Sequence, residues 1–351
     1  MSTTIQILHA SHGDCIFIRH EKGKQKFNLL IDGGPTGTFG QLSGYAMPLR
    51  LLLEELIERK EVIDLAVITH VDDDHIGGIL EAISFKEYLP ELVKEYWFNS
   101  YDRITSSDND SGDVNNSVSG VAGTEVNTSI TQGVSLEATL ENLNWFDEVI
   151  HNEIDPLFRS GVKITVLSPT RRSLKRLAKD WKREYPDREK DTARKQTDHH
   201  YPFSAFVSDE SFQSDRSVPN GSSIALLLEV DDTKILLLAD SYAHTVEQKL
   251  RDMGFSEDNP LVCDLVKISH HGSKGNTTKT LLSIIRSDKY VISTDGSVFG
   301  HPDKRTVARI LNADSRNHVY FNYESVMRSI LHREDEAFAG RLHVCEDKMV
   351  I

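Results

Sequence analysis

Between His70 and His75, in Thr69-His70-Val71-Asp72-Asp73-Asp74-His75-Ile76-Gly77-Gly78, nearly every side chain can bind a metal or move a proton. Three adjacent carboxylates flanked by two imidazoles raise one another's pKa values unless a cation neutralises them. Acidic triplets by themselves are commonly solvated loops or helix caps. A solvated cap has no use for flanking imidazoles, however, and the apolar run from Ile63 to Ile68 reads as a buried strand leading straight into the cluster. Strand ends are where open α/β sheets place their chemistry, so the stretch reads as a divalent-metal site.

A second stretch echoes the first. Asp64-Leu65-Ala66-Val67-Ile68-Thr69-His70 and Asp264-Leu265-Val266-Lys267-Ile268-Ser269-His270 share Asp-Leu, Ile, a hydroxyl residue and His in register. Upstream of each lies an apolar strand ending in an acid, Leu29-Leu30-Ile31-Asp32 in one case and Leu237-Leu238-Ala239-Asp240 in the other. Each interval leaves room for one crossover helix between parallel strands. The echo predicts a pseudo-duplicated αβ/βα sandwich with both sets of strand ends converging on one cleft. It also aligns His270 with His70, which makes His270 the expected metal ligand and His271 a substrate or proton-transfer group.

His70-x-Asp72-x-Asp74-His75 resembles the metal motif of the metallo-β-lactamase superfamily, usually His-x-His-x-Asp-His, with Asp72 in place of the second histidine. That replacement is similar to the hydrolase domain of the ComEC family of DNA-uptake proteins and its free-standing relatives. So are Ala239-Asp240, the block Lys267-Ile268-Ser269-His270-His271-Gly272-Ser273 and the turn Gly300-His301-Pro302. The resemblance implies a four-layer αβ/βα sandwich and two divalent ions, Zn2+ or Mn2+, about 3.5 to 4 Å apart. His70 and Asp72 would hold one ion, Asp74, His75 and His270 the other, with Asp240 and a hydroxide bridging them. Asp32, at the end of the third strand, would orient the hydroxide or a ligand. His271, Ser273, Lys274 and His301 would contact substrate oxygens or protonate the leaving group. The superfamily often adds a further ligand histidine between the motif and the bridging acid. Candidates here are His151, His199 and His200, none of them in a recognisable motif.

The elements that must position these residues follow from periodicity. Strands are expected at Thr4 to Ala10, Cys15 to Arg19, Phe27 to Ile31, Tyr96 to Phe98 and Val162 to Leu167, followed by a hairpin from Ser223 to Ala239. Later strands are expected at Leu261 to Ile268 and Tyr290 to Ser293, with a strand-like tail from Phe338. Helices are expected at Met47 to Lys60, Ile76 to Tyr88, Leu136 to Ile150, Arg171 to Glu184, Ala243 to Met253, Thr278 to Arg286 and Lys304 to Leu311. Polar stretches at about 102–135 and 185–221 read as insertions in a single α/β domain covering 1–351, the first as a mobile lid or surface loop.

The net charge of −14 argues against a broad surface for duplex nucleic acid. Residues 171–195 nevertheless hold 11 Lys and Arg against 5 Asp and Glu, a local +6. Such a helix either contacts nucleic acid or is simply solvated. Three scattered cysteines and no run of 18 apolar residues lead us to expect a reduced, cytoplasmic protein with no membrane segment. The expected activity is phosphodiester hydrolysis of DNA, RNA or a nucleotide. Two alternatives remain open: hydrolysis of a lactone or other acyl ester on the same ions, and a metal-stabilised binding module that works with a partner protein. A partner protein that gates the cleft is a further expectation.

Overall fold

A computed structural model describes residues 2–40, 47–107, 128–182 and 197–351. Two twisted sheets stack face to face. The first has six strands in the order Met349–Val350, Ser2–Ile7, Ile16–Lys22, Gln25–Ile31, Leu65–Val67 and Tyr96–Trp97. The second has eight, in the order Leu342–Val344, His318–Phe321, Lys289–Ile292, Leu265–Lys267, Thr233–Leu237, Ala225–Val230, Val162–Ser168 and Leu157–Arg159.

Alternation along the strands divides the apolar side chains into three cores. Ile5, Ile18, Leu29, Leu65 and Val67 of one sheet meet Ile164, Leu226, Leu228, Ile235 and Leu237 of the other between the sheets. Opposite faces bury Leu30, Ala66 and Ile68 against helices Pro48–Arg59 and Asp73–Ile83, and Leu236, Val266 and Ile292 against helices Ala243–Asp252 and Lys304–Ala313. Burying each Val, Leu or Ile among them contributes about 1.5 to 3 kcal/mol. Three cores between four layers are the expected αβ/βα sandwich.

The internal echo has a structural basis. Leu65–Val67 runs parallel to Gln25–Ile31, and Leu265–Lys267 parallel to Thr233–Leu237. The shared Asp-Leu sits at the same junction in both halves. Asp64 Oδ2 accepts from Asn28 N at 2.8 Å, and Asp264 Oδ2 accepts from Lys234 N at 2.8 Å. Each carboxylate thereby satisfies a backbone donor of the neighbouring strand one residue before the parallel pairing begins, at Leu29 and at Ile235.

Several boundaries differ from expectation. The second helix begins inside the acidic triplet, at Asp73, with Asp72 at its N-cap and Asp73 and Asp74 in its first turn, where the helix dipole favours negative charge. The helix expected at Leu136 to Ile150 lies earlier, at Thr128–Leu140. Its expected second half is drawn to the sheet edge instead, where Trp145 bridges to Tyr96 and Phe146 N donates to Tyr96 O. The stretch 102–135 is therefore helical where it is described, at Tyr101–Ser106 and from Thr128 onward, while 108–127 lies outside the described residues. Residues 183–196, which take in the first part of 185–221, also lie outside them, but Phe203, Phe206 and Asn220 are buried. The run expected as one strand from Leu261 to Ile268 is broken into Leu261–Val262 and Leu265–Lys267. The tail closes an edge of both sheets, through Leu342–Val344 and Met349–Val350. No helix among the described residues is long and apolar enough to cross a membrane, and all three cysteines are free.

Candidate metal centre

The carboxyl ends of the parallel strands meet at one end of the sandwich. Strand Gln25–Ile31 delivers Asp32, Leu65–Val67 leads to the loop carrying His70 and Asp72, and Thr233–Leu237 delivers Asp240. Strand Leu265–Lys267 leads into a tight turn bearing His270 and His271. Asp32, Ala239, His270 and His271 all adopt left-handed backbone conformations, with φ of 56°, 43°, 48° and 51°. Such strain persists only where surrounding structure enforces it, and four of the eight non-glycine residues with positive φ among the described residues gather here.

Glycines let the parts close up. Gly33 and Gly78 press backbone to backbone: a Cβ on Gly78 would lie 2.1 Å from Gly33 O, and one on Gly33 would lie 2.4 Å from Ile79 N. Gly33 N donates to His75 O and Gly78 N to Gly34 O, each at 2.8 Å. The loop after the third strand is thereby locked to the helix that carries Asp74 and His75.

Each histidine is oriented through Nδ1. His75 Nδ1 donates to Asp32 Oδ2 at 2.8 Å, and that carboxylate also accepts from Thr69 N and Thr69 Oγ1 at 2.8 Å. With its own proton committed to Asp32, Thr69 Oγ1 accepts from His70 Nδ1 at 3.0 Å. His271 Nδ1 donates to Ser293 O at 2.9 Å, and His270 Nδ1 to Asn276 Oδ1 at 3.0 Å. In every case Nε2 is the ring atom left to bind a cation.

Those atoms converge on Asp240. His75 Nε2 and His271 Nε2 lie 3.5 and 3.7 Å from Asp240 Oδ1, and His70 Nε2 and His270 Nε2 lie 3.9 and 3.7 Å from Oδ2. Asp74 Oδ2 is 3.4 Å from His271 Nε2, and Asp72 Oδ2 is 3.5 Å from His70 Nε2. Ligand atoms of His70, His75 and Asp240 lie within 4.8 Å of one another, as do those of Asp74, His75 and His271. His70 Nε2, His75 Nε2, His271 Nε2 and Asp240 Oδ1 are buried without a hydrogen-bond partner. Orphaned buried polar atoms are costly, and a pair of divalent cations with nitrogen and oxygen ligands would satisfy all four. The residues fit the expected ions.

The electrostatics agree. Burial opposes the charge on His75, but Asp240, Asp32 and Asp74 overcome it and hold its pKa well above the usual value. Burial likewise opposes His271, yet Asp240 and Asp14 raise it to about 10. Burial would raise Asp240, but His271, His75 and His270 depress it far below the carboxylate range. These groups hold one another charged, and a bound cation would take the place of the imidazole protons.

His270 and His271 divide differently from expectation. His271, expected as a substrate or proton-transfer group, lies with Asp74 and His75, while His270 faces the other oxygen of Asp240. Asp32 does not point at the ligand space and acts through His75 and Thr69. His301 is buried beside His270, ring centroids 5.3 Å apart, and burial lowers its pKa. Lys274 is exposed, but its ammonium and backbone N both bond Asp303, at 3.1 and 2.9 Å. Ser273 Oγ accepts from Gly275 N.

Several residues of the site have no role assigned from the sequence. Buried Asp14 pairs with buried Lys267 and lies 3.4 Å from His271 Nδ1, while Asp14 N donates to Asp74 O. Only the coincidence of an acidic turn with an unusual lysine inside an apolar strand hinted at that pair. Asp215, Asn220 and Asn276 form a network behind His270. The three candidate extra ligands are elsewhere. His151 lines a cavity of about 620 Å³ with Asp102, Glu137, Glu141, Asp147 and Glu148. His199 Nε2 bonds Pro302 O, and His200 Nδ1 bonds Thr197 O.

Residues 10–158 match the sequence model of the metallo-β-lactamase superfamily. No curated protein matches the chain. Among solved structures it is similar to CmlA, a diiron β-hydroxylase from Streptomyces venezuelae, at 12% identity and a TM-score of 0.43, covering 100% of this chain but 54% of CmlA, so that it spans about half of that protein. It is also similar to the metallo-β-lactamase fold protein YhfI from Bacillus subtilis, at 11% identity and a TM-score of 0.42, covering 100% and 99%. A diphosphatase of the PhnP family gives 10%, 0.41, 99% and 97%. Similarity of this size carries no argument about substrate. With two sheets between helical layers and this ligand set at their common end, the chain has the metallo-β-lactamase fold, and the superfamily is supported by the match over residues 10–158.

Proposed function

We propose that the protein is a dinuclear-metal phosphodiesterase or nuclease acting on a nucleotide or a single strand of nucleic acid. The observation that carries the hydrolase reading is the set of unpartnered ligand atoms on both sides of the Asp240 carboxylate. Asp74, His75 and His271 would hold one ion, His70 and Asp72 the other, with Asp240 shared. Such ions, whether Zn2+ or Mn2+, supply a nucleophilic water near neutral pH and offset the charge that builds on the attacked group.

The chain's own residues do the rest. Asp32, Thr69 and Ser293 fix the ring orientations, so no reorganisation is required when substrate arrives. His301 lies beside His270, and burial keeps its imidazole neutral near pH 7, so it can exchange a proton with a water or substrate oxygen.

The phosphodiester reading is supported by helix Arg171–Lys182. It buries Leu174, Leu177, Ala178 and Trp181 and exposes Arg171, Arg172, Arg176 and Lys179. This helix packs on Val218–Gly221, the short helix that places Asn220 behind His270. The helix with this basic face thus packs on the element that braces His270, while five carboxylates, together with Arg103 and Arg171, line the cavity around Glu137 and Glu141 and disfavour a long polyanion on that side. A short or single-stranded substrate suits this distribution better than a duplex.

The test is an assay of protein stripped of metal and reloaded with Mn2+ or Zn2+ on bis(p-nitrophenyl) phosphate, single-stranded DNA, duplex DNA, RNA and p-nitrophenyl acetate. We expect metal-dependent cleavage of phosphodiesters, with single strands ahead of duplex, lost in Asp74→Ala and His271→Ala. Turnover of the acetate alone would replace this reading with the acyl-ester alternative, and full metal loading without any turnover would favour a binding module.

A further inference from the structure

We propose that His270 completes the first metal position, alongside His70, Asp72 and Asp240, and that Asp215, Asn220 and Asn276 exist to aim it there. The inference rests on the two-ion reading above and adds to it the ligand that the His-x-Asp-x-Asp-His motif leaves wanting.

The geometry separates two adjacent histidines. His270 and His271 both have left-handed backbone, and their rings diverge, with centroids 6.0 Å apart and planes at 69°. His271 Nε2 faces Asp240 Oδ1 and Asp74, whereas His270 Nε2 lies 3.7 Å from Asp240 Oδ2. That oxygen is also the one nearest His70 Nε2, at 3.9 Å, and His70 Nε2 is 3.5 Å from Asp72 Oδ2. Atoms that share an ion about 2.1 Å from each lie roughly 3 to 4 Å apart, and the His270–Asp240, His70–Asp240 and His70–Asp72 separations fall in that range. The tightest groups of three are His70 with His75 and Asp240 and Asp74 with His75 and His271, so His270 is tied to this position through Asp240 Oδ2. The internal duplication makes the arrangement intelligible: His70 and His270 follow equivalent strand ends, and both have Asp240 Oδ2 as their nearest oxygen of that carboxylate.

The tautomer follows from the network behind the ring. Asn276 Nδ2 donates to Asp215 Oδ2 at 3.0 Å, and Asn220 Nδ2 donates to the same oxygen at 2.7 Å. The Asn276 amide therefore turns its oxygen to His270 Nδ1 at 3.0 Å, and Asp215 Oδ2 lies 3.4 Å from the same nitrogen. These are two acceptors against the single donor Asn220 Nδ2 at 3.3 Å, which already donates to Asp215. Nδ1 donating leaves the Nε2 lone pair for the cation. Asp215 Oδ1 is itself fixed by Ser217 N at 2.9 Å, and Asp215 N donates to Gly275 O at 3.1 Å. The polar stretch ahead of the second hairpin is thus a bracket for one ligand, with Asp215 a positioning residue.

Cobalt(II) titration of the metal-free full chain, followed by visible absorption and by metal analysis after gel filtration, tests this. Wild type should take up two equivalents. His270→Ala should keep one, with the spectrum of the ion held by Asp74, His75 and His271, and His271→Ala should lose the complementary signal. Asp215→Asn should weaken one of the two binding steps by about 10- to 100-fold and leave the other unchanged. Two equivalents bound by His270→Ala with wild-type affinities and spectrum would overturn the inference while leaving the two-ion hydrolase intact. A wild type that binds a single ion, lost with His271→Ala and kept with His270→Ala, would overturn the inference together with the dinuclear reading. Far-UV circular dichroism of each metal-free variant separates ligand loss from misfolding, and Asp215→Asn, which keeps every ligand, decides the question if His270→Ala does not fold.

Discussion

At the scale of single residues, Asp32 shows how the centre is prepared before any ion binds. It is fully buried, and its two oxygens hold the Thr69 backbone, the Thr69 hydroxyl and His75 Nδ1. Asp32→Asn keeps the volume but turns one of the two acceptor oxygens into an NH2 donor, so the side chain can no longer serve Thr69 N, Thr69 Oγ1 and His75 Nδ1 together. It should weaken metal affinity about 10- to 100-fold, read by competition with a chromophoric chelator. Unchanged affinity would show that His75 is oriented by packing alone. Asp32 was legible in the sequence because an acid closing an apolar strand is conspicuous. Asp14, Lys267, Asp215 and Asn276 were not, since each gains its meaning from a partner far away along the chain. Nor could spacing decide between His270 and His271, because their aim depends on two successive left-handed residues.

At the scale of elements, the close approach of Gly33 to Gly78 sets the position of helix Asp73–Ile83, and with it Asp74 and His75. Gly78→Ala would place a methyl carbon 2.1 Å from Gly33 O, a backbone atom that cannot swing aside. We expect a destabilisation of about 1 to 3 kcal/mol by chemical denaturation and a parallel loss of metal affinity. Gly340→Ala, where an added Cβ meets nothing within 4 Å, is the control and should shift stability by less than about 0.5 kcal/mol. Equal effects of the two substitutions would remove the role assigned to the Gly33–Gly78 contact. Most strands and helices could be read from periodicity, since each sheet face meets a core. Helix Thr128–Leu140 was misplaced because Trp145 and Phe146 continue an apolar pattern while serving the edge of the first sheet.

At the scale of the whole molecule, a buried ion pair ties the segment after residue 197 to the C-terminal region. Lys304 and Asp335, both fully buried, bond each other, and Lys304 Nζ lies 4.5 Å from the centre of the Phe203 ring. Burial would raise the Asp335 pKa, but Lys304 and the backbone N–H groups of Phe203 and His332 lower it below the ordinary carboxylate value. A carboxyl depressed on folding stabilises the protein above its unfolded pKa of about 3.9, and the contribution is lost as pH falls through the folded value. Asp335→Asn leaves an uncompensated buried ammonium and should cost about 3 to 5 kcal/mol at pH 7. The difference from wild type should shrink below about pH 4, where the unfolded chain's carboxyl takes up a proton while the native one is still charged, and vanish as pH falls through the folded value. A difference that does not vary with pH would refute the linkage.

The central claim is a two-ion centre divided by the Asp240 carboxylate. Anomalous diffraction from crystals loaded with Zn2+ or Mn2+, recorded at the metal's absorption edge, tests it most directly. We predict two peaks flanking Asp240, one against Asp74, His75 and His271 and the other against His70 and Asp72. A single peak away from Asp240, or none in crystals of fully loaded protein, would contradict the account.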